Sequence, residues 1–473
     1  MLSRSGALGR CFFSAGAASA FRPSLFAPTA EHQALRDLVR KFAVDEVEPQ
    51  ALVHNREERF NLPLFRKLGE LGLLGLTADP AYGGSGLDAT AVCVAHEELA
   101  AVDPAFCLSF LAHSLLFVNN LSVNGSSAQR AAFLPKACSG EALCGMAMSE
   151  PGAGTDVLAM ATTARRDGGH YVLNGRKLWI TNGASEPGQL GDAFLMYARD
   201  AVPVAGKAKS FSLFLVEKGM PGFSLGQIIK DKCGMRASNT TELVLEDVRI
   251  PAATHLVRVA PSSLLLAAQK TTPTATHPPP HTHPHPPPPT PTHPHPPTLT
   301  NAHRAPQVGH QGEAVLHMMR NLEIERLGLA AMSLGIARRC TEVMATYAAQ
   351  RQAFGSPLTG FGQVQRHIGE SYAEYAAGRA YVYSTAAGMD LTRAGGRLDS
   401  DGVKLFCGPM ATGVASRAMQ VLGGFGYCGD YVVERLWRDA KLLEIGGGTS
   451  ESHQKNMASD LTRMLAVSGG RLN

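Results

Sequence analysis

One glutamate in the C-terminal third has the surroundings of a general base. In NLEIERLGLAAMSLGIA the apolar residues recur at helical spacing, with Leu322, Leu329 and Met332 three before, four after and seven after Glu325. A carboxylate on such a stripe loses solvent, which disfavours its charged form, so its pKa is expected to rise toward a value useful for proton abstraction. Upstream, MAMSEPGAGTDV (146–157) joins glycines that let backbone approach a planar cofactor to a hydroxyl at Ser149. Twenty-two residues beyond Thr155 begins KLWITNG, with Trp179 and Thr181 on a predicted strand. Near the C-terminus stand QVLGGFGYCGDYVVERLWRDAK and EIGGGTSE. Taken singly, each of these segments reads equally well as a loop or a core feature.

The elements that must carry them change period twice. Over about 30–145 the pattern is helical: HQALRDLVRKFAVDEVEP repeats Leu35, Leu38, Val39, Phe42 and Val47, and Pro49 is expected to end that helix. LPLFRKLGELGLLGL is a second helix, AYGGSGL a loop, and helices follow over 90–101 and 110–120. From about Ala147 strands take over. HYVLNGRKLWITNG reads as two strands joined by Asn174-Gly175, followed by AFLMYA, SFSLFLVEKG and TTELVLEDVRIP. Helical periodicity returns at about Glu313. The fold class is therefore α+β in series: a helical domain over 29–146, a β-domain over 147–256 and a helical domain over 308–473.

Two segments fit no domain. Residues 1–28 hold Arg4, Arg10 and Arg22, many Ser and Ala and no acid, the profile of a mitochondrial or plastid transit peptide. Residues 257–307 alternate Pro, His and Thr, which builds no core, helix or strand, so a disordered insertion without chemistry is expected. Over the full length the composition is that of a globular chain of 473 residues, 45% apolar. A net charge of +4 without aromatic-interleaved basic stripes argues against nucleic acid. The nine scattered cysteines, without CxxC pairing, point to reduced thiols. No run reaches the roughly 18 apolar residues of a membrane span.

In this order the motifs resemble the acyl-CoA dehydrogenase family. AMSEPGAGTDVLA looks like its first signature. Residues 420–439 look like its second, with Gln420, Gly423, Gly424, Gly426, Asp430, Arg435 and Asp439 in register. The resemblance runs from about Glu31 to Glu451, interrupted by the Pro/His insertion. It implies an N-terminal helical domain, a middle β-domain, a C-terminal four-helix bundle, FAD as cofactor and a homotetramer. It also implies an acyl-CoA substrate, electron-transferring flavoprotein as electron acceptor, and the mitochondrial matrix as location.

Residue roles follow from the same resemblance. Met146, Met148, Ser149, Thr155, Trp179, Ile180 and Thr181 match flavin contacts, and a hydroxyl at 181 suits the flavin N5. Arg351, Gln363, Gln420, Gly423 and Gly424 match contacts to the rest of FAD across a subunit interface, with Thr449 and Glu451 the last of them. Thr155, Lys209, Glu323, Arg326, Gly447, Gly448, Leu108, Ala112 and Leu329 match positions around the acyl-CoA. Glu323, three residues after Arg320, is expected exposed or against CoA.

Most of the family carries its glutamate base just before Gly-Thr near the C-terminus, where this chain has Gly447. Glycine abstracts no proton. LEIER instead resembles the relocated base of the isovaleryl-CoA and long-chain branches, which makes Glu325 the catalytic residue. EIGGGTSE, KLWITNG and FLVEKGMPGF resemble the isovaleryl-CoA branch, implying a short branched substrate. The alternatives are a dehydrogenase of other chain-length preference, an acyl-CoA oxidase, and a flavoprotein without catalysis.

Overall fold

The computed structural model of the chain describes residues 21–186, 188–251, 307–308 and 311–471. The first helices are α1 (Ala30–Phe42), α2 (Glu48–Glu57), α3 (Leu62–Glu70), α4 (Ala89–Ala100), α5 (Pro104–Leu111), α6 (Asn120–Asn124) and α7 (Ser127–Ser139). Thr29 caps α1, its hydroxyl accepting the His32 N–H, and Leu35, Val39 and Phe42 are buried as the period required. Pro49 does not end the run. The chain passes through one π-helical segment, Ala43–Val47, and re-enters α-helix with Pro49 in the first turn of α2, where its missing N–H is harmless.

A second π-helical segment, Ala112–Asn119, links α5 to α6. Contrary to the expectation of no such run, Pro104–Asn124 is apolar and long enough by composition to cross a membrane. It serves as core here, 78% of its most apolar window being buried.

The strands are β1 (Cys144–Ala147), β2 (Thr163–Asp167), β3 (His170–Thr181), β4 (Ala184–Glu186), β5 (Gln189–Leu190), β6 (Ala193–Asp200), β7 (Phe211–Glu217), β8 (Phe223–Ile228), β9 (Thr240–Pro251) and β10 (Gln307–Val308). The main sheet runs β10-β7-β6-β2-β3-β9-β8, with β1 parallel to β6. Asn174-Gly175 is not a hairpin turn: β3 runs straight through it, and the turn falls at Gly168-Gly169, where Asp167 pairs His170. The register slips between Leu173 and Gly175 instead, a bulge. The Asn174 amide donates to Asp247 on β9, and a side chain at 175 would strike Thr162 Oγ1 at 2.3 Å. The dipeptide meets a turn's backbone demands and was used for a bulge.

The last helices are α8 (Ala314–Gln350), α9 (Gly362–Gly388), α10 (Arg397–Leu422), α11 (Gly424–Tyr427), α12 (Val433–Leu442) and α13 (Ser450–Val467). Long α8 packs on α9, α10 and the N-terminal α4. A buried ion network fixes that last contact. Arg338 of α8 donates to Glu98 (2.7 Å), and Tyr383 of α9 donates to Glu97 (2.6 Å). Arg36 of α1 joins both acids.

The expected transit peptide lies outside the described residues over 1–20. Residues 24–27, by contrast, pack on the body: Phe26 sits edge-on to Tyr383 at 5.4 Å, with the Arg379 guanidinium 4.1 Å from its ring. The expected insertion lies outside the described residues over 257–306, but its last residue does not fit the expectation. Gln307 and Val308 pair with β7 before the chain enters α8. Deleting 257–306 is therefore expected to leave the melting temperature within a degree or two, because loop length costs only about 0.6 kcal/mol per doubling. Extending the cut through Val308 removes a strand from the β7 edge, and differential scanning fluorimetry should show a lower melting temperature.

Candidate functional site

Glu325 is buried, 8% exposed, on the α8 stripe that the sequence indicated. Burial pushes its carboxyl up to about 7, against the pull of Arg326 and Lys404. Its Oε2 has no hydrogen-bond partner among the described residues, so a proton acceptor is left free.

The Gly447–Gly448 turn faces it. A Cβ built on Gly447 would lie 3.6 Å from Glu325 Oε1 and 2.3 Å from Leu329 Cδ1. Gly447 has φ +69°, a conformation that side chains resist. Position 447 thus has room for backbone only, and its N–H makes no hydrogen bond among the described residues. Leu329, one turn after Glu325, is buried against this turn. Gly328 beside it comes close to Leu111 and Leu115, so the helix carrying Leu108 and Ala112 walls the same region. Ala112 is buried and Leu108 half-buried.

Two predicted contacts sit differently from expectation. Glu323 is buried rather than exposed, and its carboxylate accepts the N–H groups of Gly395 and Gly396 (3.1 and 2.9 Å) at the start of α10. An anion there meets the positive end of the helix, so Glu323 is a structural cap. Arg326 turns into the bundle and pairs with Asp401 at 2.9 Å. Sequence reasoning missed the group behind it. Asp401 and Lys404 of α10 and His453 of α13 are all buried, and His453 Nε2 and Lys404 Nζ both reach the Gly448 carbonyl (3.0 and 3.1 Å). Two charges three residues apart inside an apolar helix were the available signal.

A second rim forms where β1 meets β3. The Leu178 N–H donates to the Ser149 carbonyl at 3.0 Å, bringing Met148 and Ser149 beside Trp179, Ile180 and Thr181. Trp179 has φ +61° at a register slip and is 51% exposed. A large aromatic held in left-handed backbone and left uncovered marks a site where the surroundings enforce strain. Ile180 instead is buried in the sheet core, facing away from the rim.

Beneath the rim lies another pair that the sequence did not reveal. Lys177 is fully buried and donates to Glu150 (2.8 Å) and to the Met148 carbonyl (3.1 Å). Burial draws its ammonium down to about 8 against the attraction of Glu150. Glu150, despite its own burial, is held below the usual carboxylate range by Lys177.

The two parts are neighbours. Asn120 touches Met146 Sδ (3.8 Å) and the Tyr197 hydroxyl (3.4 Å), and Tyr197 lies within electrostatic reach of Glu325. Thr449 caps α13 at the end of the glycine turn, and Glu451 is exposed in its first turn. Thr155 is exposed beside an open cavity of about 490 Å³ lined by Asp156, Lys207 and Lys209.

A third set stands apart. Arg351 follows Glu325 by 26 residues along α8, about 39 Å at 1.5 Å per residue. Gln363, Gln420, Gly423 and Gly424 are exposed, and the Tyr347–Phe425 ring contact at 6.4 Å puts the last two at the Arg351 end. One protomer therefore does not bring the two sets of predicted cofactor residues together.

A free buried carboxylate, an unused backbone N–H and a strained aromatic rim suit a planar redox cofactor beside an acidifiable C–H. The chain belongs to the acyl-CoA dehydrogenase family. Models of that family's N-terminal, middle and C-terminal domains match residues 29–141, 145–248 and 315–462. It is 36% identical over 439 residues to the mitochondrial isovaleryl-CoA dehydrogenase of Oryza sativa subsp. japonica, covering 92% of each chain. Among solved structures it is similar to butyryl-CoA dehydrogenase from Megasphaera elsdenii, with a TM-score of 0.75 and 27% identity over 92% of this chain and 98% of that one. It shares its fold with a glutaryl-CoA dehydrogenase from Mycobacterium smegmatis described in complex with FADH2, with a TM-score of 0.75 and 24% identity over 92% and 95% of the chains.

Proposed function

We propose that the chain desaturates a short branched acyl-CoA, converting isovaleryl-CoA to 3-methylcrotonyl-CoA, with Glu325 as the base. The observation that carries this reading is the convergence of the free Glu325 carboxylate on a side-chain-free turn at Gly447. Bound FAD supplies the acceptor for the hydride leaving Cβ. Glu325 takes the Cα proton. The Gly447 N–H donates to the thioester carbonyl, where negative charge develops as that proton leaves. Leu329, Leu108 and Ala112 exclude water and line the acyl chain.

Met146, Met148, Ser149, Trp179, Thr181 and Thr449 hold the flavin end of FAD. Arg351, Gln363, Gln420, Gly423 and Gly424 hold the other end in a second copy of the chain, which the separation along α8 supports and which makes the enzyme an oligomer, a homotetramer in this reading. Lys209 and Thr155 bind the CoA portion. Electrons pass to electron-transferring flavoprotein. The protein acts in the mitochondrial matrix, and any leader ends before Ser24, because Phe26 packs on Tyr383 and Arg379.

A substrate panel with an artificial electron acceptor tests the reading. The kcat/KM for isovaleryl-CoA is expected to exceed those for butyryl-, isobutyryl- and palmitoyl-CoA by at least about tenfold, the scale set by one branch or methylene in a fitted pocket. Preference for a straight chain would reject the substrate, and steady peroxide formation in air would favour an oxidase.

A further inference from the structure

Behind the glycine turn the hydrogen bonds impose a condition on His453. Its Nδ1 lies 2.8 Å from Asp401 Oδ1 and its Nε2 lies 3.0 Å from the Gly448 carbonyl oxygen. A carbonyl oxygen only accepts, so Nε2 donates to Gly448, while Nδ1 shares a hydrogen bond with Asp401 that fixes the ring's orientation. Arg326 sits on the same Asp401 carboxylate oxygen at 2.9 Å. Lys404 donates to the same carbonyl from the other element, at 3.1 Å. Gly448 permits this approach: a Cβ there would lie 2.9 Å from His453 Cε1, and its φ is +103°. His453 is 1% exposed and lies in the first turns of α13, its own N–H bonded to the Thr449 carbonyl at 3.2 Å.

We infer that His453, oriented by Asp401, is a positioning residue that, with Lys404, fixes the Gly447–Gly448 turn so that the Gly447 N–H and the Glu325 carboxylate address one thioester. The inference rests on the reading above of Glu325 and Gly447. Its physical basis is that the Ser450 N–H to Glu444 carbonyl bond (3.2 Å) closes the turn at its ends, while at the two glycines themselves the Gly448 carbonyl is the group that is held. Both glycines have positive φ, neither N–H makes a bond among the described residues, and two buried donors, Lys404 Nζ and His453 Nε2, converge on one carbonyl. Charge-assisted hydrogen bonds are the stronger and more directional ones. A displacement of about 1 Å at a reacting centre costs up to about 10²-fold in rate.

The test uses the FAD-loaded full chain and 3,3-dimethylbutyryl-CoA, which has α-hydrogens and no β-hydrogen. Deuterium uptake from D2O at Cα then reads proton abstraction without hydride transfer. His453→Phe removes both ring nitrogens and with them both hydrogen bonds. It is expected to keep flavin content and ligand affinity within about threefold and to slow α-exchange on the order of tenfold or more. His453→Gln, which donates to a carbonyl from a similar distance, should recover most of the rate, a rescue that loss of packing alone would not give. Should the phenylalanine variant fail to fold, His453→Asn, too short to span to Gly448, carries the same expectation. Parent-rate exchange in His453→Phe or His453→Asn overturns the inference, as does a glutamine variant as slow as the phenylalanine one. Glu325→Gln is the control. If it also exchanges at the parent rate, the base assignment has failed; if it is silent while His453→Phe is unaffected, only the role of His453 has failed.

Discussion

Glu325→Gln is expected to bind FAD and acyl-CoA yet reduce flavin about 10²–10⁴-fold more slowly under anaerobic conditions, the usual contribution of a general base. Glutamine keeps the shape and leaves the apolar stripe of Leu322, Leu329 and Met332 intact. In the parent, the rate of reduction should rise with pH through about 7, where the buried acid releases its proton. The same shift acts on stability with the opposite sense. The folded chain holds a proton on Glu325 that the unfolded chain has already lost, so this contribution is complete below about pH 4.5 and vanishes as pH rises through about 7. Above that, the buried charge costs roughly 3 kcal/mol. The variant should therefore melt higher than the parent at pH 8 and nearly together with it at pH 5. Parent-rate reduction by Glu325→Gln would remove the base assignment and, with it, the main argument for a branched substrate.

Gly447 explains why the base cannot simply be returned to that position. A glutamate there would start 2.3 Å from Leu329 Cδ1 on a backbone with φ +69°. The two positions share one space, and filling it from α8 is what leaves the turn free of side chains.

The stripe carrying Glu325 was legible because helical periodicity is local: residues three and four apart share a face whatever else the chain does. The domain-scale changes of period were legible for the same reason, and the glycine motifs through their family resemblance. Other features depended on partners distant in sequence. Asn174-Gly175 has turn chemistry, but Asp247 on β9 and Thr162 decide that it becomes a bulge. Pro49 has breaker chemistry, but the preceding π-helical segment re-phases the chain so that it falls in a first turn. Glu323 looked like a surface residue because nothing local showed that the start of α10 would fold over it. The ring nitrogens of His453 are separated from their Asp401 partner by 52 positions, and no periodicity reports such a meeting.

Lys177→Met is expected to destabilise the protein by about 3–5 kcal/mol, the usual result of removing one partner of a buried ion pair. The reason lies in what remains. Glu150 would keep the N–H of Thr162 at 3.0 Å and that of Ala161, but lose the one cation paired with it among the described residues, at 4% exposure. The Met148 carbonyl would lose its donor at 3.1 Å. Because Lys177 ties the strand before Trp179 to the loop at Met148 and Ser149, the damage should reach the flavin rim and not stay in the sheet. Thermal melting and flavin per chain after gel filtration should therefore fall together. Replacing both partners, Lys177→Met with Glu150→Gln, removes the orphaned charge. It should recover a large part of the melting temperature while recovering less of the flavin, since the Met148 carbonyl still lacks its donor. A single variant that melts within a degree of the parent would show that the pair is not what holds the rim. A double variant that melts lower than the single one would show that Glu150 is stabilised by its backbone donors alone.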